Sequence, residues 1–479
     1  MKSVLHISTE CYPAAKAGGM GDVVGALPIY LPEVGYKASV IIPKYSNKWI
    51  SAQKTKSISK GTFSLGAETI AYKVEKVVSD ELSFPLYVMD IPGKLDRASI
   101  YLGADGEAFP DEAERNISFQ LSILEWASSL KKKFDILHCH DHMTGLIPFL
   151  SRHADQYKSL EKTPTFFTIH NGQYRGVFDW SKAKLLPPYD ISKSGLLDWD
   201  NTIHSLAAAI KCATLVNTVS PSYMEELSED FDRLTSLIKE VKAKTLGILN
   251  GIDTQVWDPA NDPMISHHYK RSAKLFKKKN KEALAEQFGF SSVRPLVSFI
   301  GRFAFEKGAD LLSGAIDQVL RHHKEVQFFI LGSGDRKIEE GVKNLQERYP
   351  DNVVSVIAYN ETLAHKIYAS SDFIIMPSRF EPCGLNQMYA MRYGTTPIAR
   401  NTGGLKDTVP DIGDGGNGIR FLRATEQDIV YSVGRAIEFY ADTKSYDKHT
   451  KKIMKLDFSW KQSAQKYADN YNKILNLKT

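Results

Sequence analysis

Cations, glycines and a carboxylate recur in three short stretches of this 479-residue chain, each directly after an apolar run. Lys16 precedes Gly18, Gly19 and Asp22 in "KAGGMGD"; Arg302 and Lys307 share "GRFAFEKG"; Glu381 leads Cys383, Gly384, Leu385 and Asn386 in "RFEPCGLNQ". Adjacent glycines let backbone come close to a ligand, and the free N–H groups that open a helix attract an anion. Arginine grips phosphate through paired donors while lysine adds a compact charge, so Arg302 and Lys307 together suit a diphosphate. A carboxylate repels phosphate, so Glu381 suits hydroxyl groups. Taken singly, each stretch is also ordinary loop chemistry: a tight turn with a surface lysine, two cations on one loop, a favourable charge near a helix N-terminus. The glycines around Lys16 do not form the G-x-G-x-x-G dinucleotide fingerprint.

"HCHDH" (His138–His142) raises a metal question, because alternation along a strand would set three histidines on one face. A fourth ligand and a second coordinating motif are missing, so metal is not the preferred reading.

The elements that must position these groups follow one rhythm. "SVLHIS" reads as a strand, the glycine turn leads into a helical pattern, and "ASVIIP" reads as a second strand. "FDILHCH", "PTFFTIHN" and "ATLVNTVS" continue the series. After a lysine-rich stretch, "YKRSAKLFKKKNKEALAEQFG", it restarts with "PLVSFIGR", "VQFFILGSG", "NVVSVIAY", "DFIIMPS" and "TPIAR". Such alternation predicts an α/β chain with two doubly wound, mostly parallel sheets. We place the first domain at 1–249 with a returning helix at 458–479, and the second at 250–457. Trp460, Ala464, Tyr467, Tyr471 and Ile474 give that last helix one apolar face, while the lysine-rich stretch is expected to be a solvated helix face. Ligands of such sheets lie beyond the carboxyl ends of strands, so a cleft between the domains is the expected site.

A net charge of +5 spread along the chain is too mild to point to nucleic acid, which needs a concentrated basic face, so no nucleic-acid partner is expected. Four cysteines without a CxxC pair point to a reducing compartment. With no signal-like start and no apolar run of the ~18 residues a bilayer requires, the expected location is the cytoplasm, away from any membrane.

Together these stretches resemble bacterial glycogen synthases and plant starch synthases over nearly the whole chain. "KAGGMGDVVGALP", "HCHDHMTGL", "TIHNGQYRGVF", "TVSPSY", "ILNGID", "GRFAFEKG", "PSRFEPCGLNQMYAMRYGT" and "RNTGGLKDTV" follow the family's order. The resemblance implies a GT-B fold, two Rossmann-like domains facing across a cleft. It implies glucose transfer from ADP-glucose to the non-reducing end of an α-1,4-glucan with retained configuration, needing no cofactor and no metal. By the same resemblance Lys16, Arg302 and Lys307 bind the diphosphate. Asp141, His170 and Glu381 surround the glucose, and Tyr359 lies by the nucleoside. Gly18, Gly19, Asp22, Asn171, Asn250, Cys383, Gly384, Leu385 and Asn386 line the substrates. Oligomeric state is left open, as is a plastid location should the chain be a processed plant type.

The sequence departs from the family at Ala17 and Met20, at His142 and Met143 where Trp-His is common, and at Ala358, usually glycine. "DRLTSLIKEVKAKTLGILNGID" lacks the usual glycine-rich stretch. Tyr389 stands where many retaining GT-B enzymes carry a second glutamate; bacterial glycogen synthases lack that acid too. "DWD" (Asp198–Asp200) resembles a metal signature of another glycosyltransferase fold but sits in a polar loop and reads as surface. The rival readings are a retaining GT-B enzyme using another sugar nucleotide such as UDP-glucose, and an inactive glucan-binding scaffold.

Overall fold

The structure is a computed structural model that describes residues 1–103 and 106–477. It divides into two compact units: Met1–Val219 with Met224–Gly251 and Trp460–Thr479, and Ser220–Tyr223 with Ile252–Ser459.

The first unit is built on strands β1 (Lys2–Ile7), β2 (Tyr36–Pro43), β3 (Lys54–Leu65), β4 (Glu68–Val78), β5 (Leu86–Asp90), β6 (Ile136–His140) and β7 (Thr165–Ile169). Three short strands follow, β8 (Val177–Phe178), β9 (Asp198–Trp199) and β10 (Thr202–His204), then β11 (Leu215–Thr218) and β12 (Thr245–Gly247). Nine of them form one sheet in the order β12-β11-β7-β6-β1-β2-β5-β4-β3, while β8, β10 and β9 pair separately. The β6 and β7 residues are all buried, as expected where helices cover both faces of a parallel sheet.

The β3–β4 hairpin runs antiparallel and was not anticipated. Its strands are joined by Gly66-Ala67 with Gly66 at φ +62°, a two-residue turn that glycine in its first central position favours. Exposed Lys54, Lys56 and Lys60 line the edge strand β3, where charge discourages pairing with another chain.

In the second unit β13 (Leu296–Ile300), β14 (Gln327–Gly332), β15 (Val353–Ile357), β16 (Phe373–Met376), β17 (Thr396–Arg400) and β18 (Ile419–Phe421) form a wholly parallel sheet. Its order, β15-β14-β13-β16-β17-β18, is that of a Rossmann sheet. In each sheet the order reverses beside the first strand, between β1 and β6 in one and between β13 and β16 in the other. Crevices at such reversals are where open α/β sheets bind ligands. The loops after these four strands carry Lys16, Asp141, Arg302 with Lys307, and Glu381.

Two helices bear on the expectations. The C-terminal helix Trp460–Asn476 buries Trp460, Ala464, Tyr467, Tyr471 and Ile474 in the first unit's core beside Val4, Leu27 and Phe166. The lysine-rich segment forms the helix Ala273–Phe288, capped by Ser272 and by Gly289 in a left-handed conformation. It is not solvated all round, because Lys277 and Lys281 point inward. Lys277 donates to the Tyr368 carbonyl and Thr395 Oγ1 at 2.9 and 2.6 Å, and Lys281 pairs with Asp372 at 2.6 Å. Burial lowers Lys277 to about 7. Charge counting alone misses this, since a long lysine stem can be packed while its ammonium finds carbonyls.

Candidate active site

After β1 the chain makes a short reversal, with Cys11 and Ala15 exchanging backbone hydrogen bonds, before the helix Gly19–Tyr30 begins. Glu10, buried at the end of β1, accepts from the Ala17 and Gly18 amides at 2.7 and 2.8 Å, and its other oxygen accepts from Tyr101 Oη at 2.5 Å. The anion at these two amides is therefore the chain's own carboxylate, a residue that sequence reasoning missed. Its signal was a carboxylate in the first loop after a buried strand, just beyond Ser8 and Thr9. Lys16 pairs with Asp22 at 2.7 Å. A Cβ built on Gly18 or Gly19 would meet nothing within 4 Å among the described residues, whose packing does not demand glycine there.

Asp141 ends β6 with φ +56° and ψ 177°, a rare backbone state for a residue with a side chain. The turn carries its carboxylate back toward β7, where Oδ1 accepts from the His170 and Asn171 amides at 2.7 and 3.3 Å. Burial pushes the Asp141 carboxyl up to about 7, against the opposing pull of those hydrogen bonds. Asn250 is buried, and its Oδ1 has no partner among the described residues. A buried acceptor left unpaired is costly unless a ligand or water satisfies it.

Register pairs His6 of β1 with His138 of β6, and alternation sets His140 on the same face. Nitrogens of His6, His138 and His140 lie within 4.8 Å of one another, close enough to hold a metal ion. Protein partners occupy both nitrogens of His138 and of His140, while His6 is held through Nδ1 and its Nε2 has no partner among the described residues. His138 contacts Tyr471 Oη and Thr168 Oγ1 at 2.7 and 2.8 Å, while His140 contacts His6 and His170 at 3.1 and 2.9 Å. Burial lowers His6 and His170 to about 3 and drives His138 and His140 well below the usual histidine range. All four rings are neutral at physiological pH. The third histidine of "HCHDH" leaves the group, because β6 ends at His140 and the turn at Asp141 aims His142 at Glu112, 3.7 Å away. His142 and Met143 are both buried, Met143 against Cys11, Ala14 and Ala15. Met143 thus joins the apolar cluster of Cys11, Ala14, Ala15 and Met20, whereas His142 faces Glu112 and the Tyr174 ring. "DWD" is structural as well: Asp198 accepts from Trp180 Nε1 at 2.7 Å and Asp200 pairs with Arg233 at 3.2 Å.

In the second unit the loops after β13 and β16 are locked together. Gly308 has φ +65°, and a Cβ on it would sit 2.1 Å from the Pro377 carbonyl oxygen. The Arg379 and Phe380 amides donate to the Glu306 carbonyl at 2.9 and 3.2 Å. This brings Lys307 Nζ to 2.8 Å from both Glu381 oxygens, and Ser378 Oγ donates to the same carboxylate at 2.9 Å. Arg302 is not part of that pair; it bridges to Glu306 at 2.8 Å with its side chain 68% exposed. Cys383 is buried, and Gln387 Nε2 holds the Cys383 and Gly384 carbonyls before the helix Asn386–Arg392 opens at Leu385. Asn386 Nδ2 donates to the Ile300 carbonyl at 2.7 Å, fastening that helix to the end of β13. Tyr359, after β15, is 81% exposed. Tyr389 stacks on Trp257 at 3.8 Å, and Trp257 stacks in turn on His365, so an aromatic layer stands where a second acid would be.

The chain was compared with known proteins. A family model described as starch synthase catalytic domain matches residues 3–240, and one described as glycosyl transferases group 1 matches residues 280–452. A glycogen synthase of Flavobacterium johnsoniae is 46% identical over 477 residues, 99% of this chain and 100% of that one. A glycogen synthase of Thermosipho africanus is 37% identical, covering 99% of each. Among solved structures, the catalytic domain of starch synthase IV from Arabidopsis thaliana, bound to ADP and acarbose, superposes with a TM-score of 0.87 at 33% identity over 99% of both chains. Sucrose-phosphate synthase from Thermosynechococcus elongatus shares the fold at a TM-score of 0.61 and 18% identity, over 100% of both chains.

Proposed function

The chain belongs to the glycogen and starch synthase family of GT-B glucosyltransferases, and from that premise we propose that its donor is ADP-glucose and its acceptor the non-reducing end of an α-1,4-glucan. The observation that carries this reading is full-length identity to glycogen synthases. The ADP bound to the plant starch synthase supports the choice of nucleotide.

Breaking the glucose–phosphate bond builds negative charge on the leaving diphosphate and positive charge on the sugar. In the second unit, Lys307 and Arg302 supply fixed positive charge for the diphosphate, and Glu381 receives sugar hydroxyls. Preorganised charge of this kind is worth on the order of 3 kcal/mol per group, about a hundredfold in rate. Tyr359, with its exposed ring, offers a stacking face to the nucleoside, while Cys383, Gly384, Leu385 and Asn386 shape the wall beside it.

In the first unit, Lys16 faces phosphate, and the open space before Gly18 and Gly19 lets substrate approach the backbone. Asp22, Asn171 and the unpaired Asn250 oxygen meet hydroxyls. Asp141 steadies the developing sugar cation, with His170 beside it. Retaining glycosidases pair two carboxylates about 5 Å apart, one as nucleophile. With Tyr389 at the second position, we assign same-face substitution, in which the leaving phosphate takes the acceptor hydroxyl's proton. Side-chain cations do the work of charge neutralisation, so the proposal includes no metal requirement. Among the described residues no helix is long and apolar enough to cross a membrane, and a cytoplasmic setting fits the family.

The test is labelled glucose transfer to glycogen from ADP-glucose and UDP-glucose side by side, with and without exhaustive chelation. Transfer from ADP-glucose that survives chelation is expected. A preference for UDP-glucose overturns the donor assignment, and activity restored only by one divalent cation overturns the metal-free mechanism.

A further inference from the structure

His6 lies wholly inside the first unit, yet it sits at the far end of a hydrogen-bonded row that reaches His170. The row runs from His6 Nδ1 to His140 Nε2 at 3.1 Å, and from His140 Nδ1 to His170 Nε2 at 2.9 Å. Every ring in it is neutral, so each carries one N–H donor and one bare acceptor nitrogen. Each contact needs one of each. His140 must therefore donate at one nitrogen and accept at the other, which leaves two arrangements of the whole row.

In the first, His6 donates to His140 and His140 donates to His170, so His170 carries its hydrogen on Nδ1. In the second all three protons reverse, and His6 must hold its hydrogen on Nε2. That nitrogen is buried and has no hydrogen-bond partner among the described residues. A buried N–H left unpaired is rarer than a buried acceptor left unpaired, so the first arrangement is selected. Movement of His6 out of the row is opposed by its neighbours. Its ring packs 4.6 Å from that of His138 and 5.4 Å from that of His140, measured between centroids. His138 is itself held by Tyr471 and Thr168.

We propose that His6 is a positioning residue which, through His140, fixes His170 as the tautomer with hydrogen on Nδ1, so that His170 meets a sugar oxygen as a donor. The His170 Nδ1 atom makes no hydrogen bond to the described residues and is available for that contact. The ring is held at its back by Nε2, while the His170 amide is held by Asp141. Tautomer and orientation are thus set by residues that never touch substrate, as outer partners set histidines in many enzymes. The proposal rests on the glucosyltransferase reading for the word "sugar", but the tautomer itself does not.

Nitrogen-15 labelling of histidine, with two-bond proton–nitrogen correlation, reads the tautomers in the full-length wild-type enzyme; His170→Gln identifies the His170 signals. Nδ1–H is expected on His6, His140 and His170. His170 found with hydrogen on Nε2 overturns the proposal, whatever the activity. Kinetics then compare His6→Leu, which has no donor, with His6→Asn, whose amide nitrogen can donate to His140. Leucine should lower kcat by roughly tenfold or more while the nucleotide-sugar KM stays within about twofold, and asparagine should restore most of the loss. A leucine variant with wild-type kcat overturns the proposal, as does a folded asparagine variant no better than leucine. If leucine does not fold, the wild-type tautomers and the asparagine variant decide. A wild type that transfers glucose from no nucleotide sugar sinks the proposed glucosyl transfer and leaves the tautomer measurement standing.

Discussion

Lys307 has two partners to serve. Its ammonium lies 2.8 Å from both oxygens of buried Glu381, and it is also the cation assigned to the leaving diphosphate. Lys307→Ala should lower kcat about a hundredfold or more through lost transition-state charge. It should also lower Tm, because among the described residues the buried Glu381 carboxylate then keeps a side-chain hydrogen bond from Ser378 alone. Steady-state kinetics and a thermal melt on one preparation check both; a change confined to acceptor KM would count against the role. Asp141 gives a pH signature. Its carboxyl is raised to about 7, so it gains a proton as pH falls through that value and loses the negative charge that steadies the sugar. Glucosyl transfer should therefore decline as pH drops through about 7. Asp141→Asn should show lower kcat/KM without that acid limb. A wild-type profile flat from pH 8 to about 5.5 would remove Asp141 from the charged role.

At the scale of elements, two kinds of glycine meet the strand ends, and substitution separates them. Gly308→Ala forces a Cβ to 2.1 Å from the Pro377 carbonyl at φ +65°, so the loops after β13 and β16 must part. A loss of about 1–3 kcal/mol in stability is expected, together with loss of activity. Gly18 is extended at φ −148°, and a Cβ there meets nothing within 4 Å among the described residues. Gly18→Ala should melt within about 0.5 kcal/mol of wild type, as substitutions free of packing conflict do, yet should impair donor binding. Equal thermal stability of the two variants would refute this distinction. A Gly18→Ala enzyme with unchanged donor affinity would show that the open space there is not substrate space.

For the whole molecule, the first unit is completed by residues more than two hundred positions from the rest of it. Trp460, Tyr467 and Tyr471 are buried in its core, and Tyr471 Oη contacts His138 at 2.7 Å. A chain ending at residue 457 should leave that core open and His138 without one of its partners. Such a chain is expected to aggregate or to show rapid proteolysis of the first unit, with the second unit's fragment persisting. Limited proteolysis followed by mass spectrometry reads this directly, and a fully protease-resistant truncated chain would refute it. The point change Tyr471→Phe should cost about 1–3 kcal/mol, since it leaves a buried nitrogen of His138 unpaired.

The parallel strands of both sheets were legible in the sequence because buried strands are continuous apolar runs, and the terminal helix because its apolar face repeats every three to four residues. The β3–β4 hairpin was less so: its exposed lysines and serines mask the alternation that marks a half-buried strand. Cations and carboxylates at strand ends could be named as candidates, since loops after parallel strands are where such sheets bind ligands. Which of them meet was decided only in three dimensions. Residues 74 positions apart, Lys307 and Glu381, pair because β13 and β16 are neighbours. Glu10 fills the amides before the first helix because the reversal at Cys11–Ala15 folds the glycine turn back onto it. "HCHDH" shows the limit most plainly. Spacing grouped three consecutive alternate histidines, but one positive φ at Asp141 removed His142, and the pairing of β1 with β6 brought in His6. A hydrogen bond or a tautomer depends on which atoms face each other across strands, and that depends on sheet order, which no local pattern of residues contains.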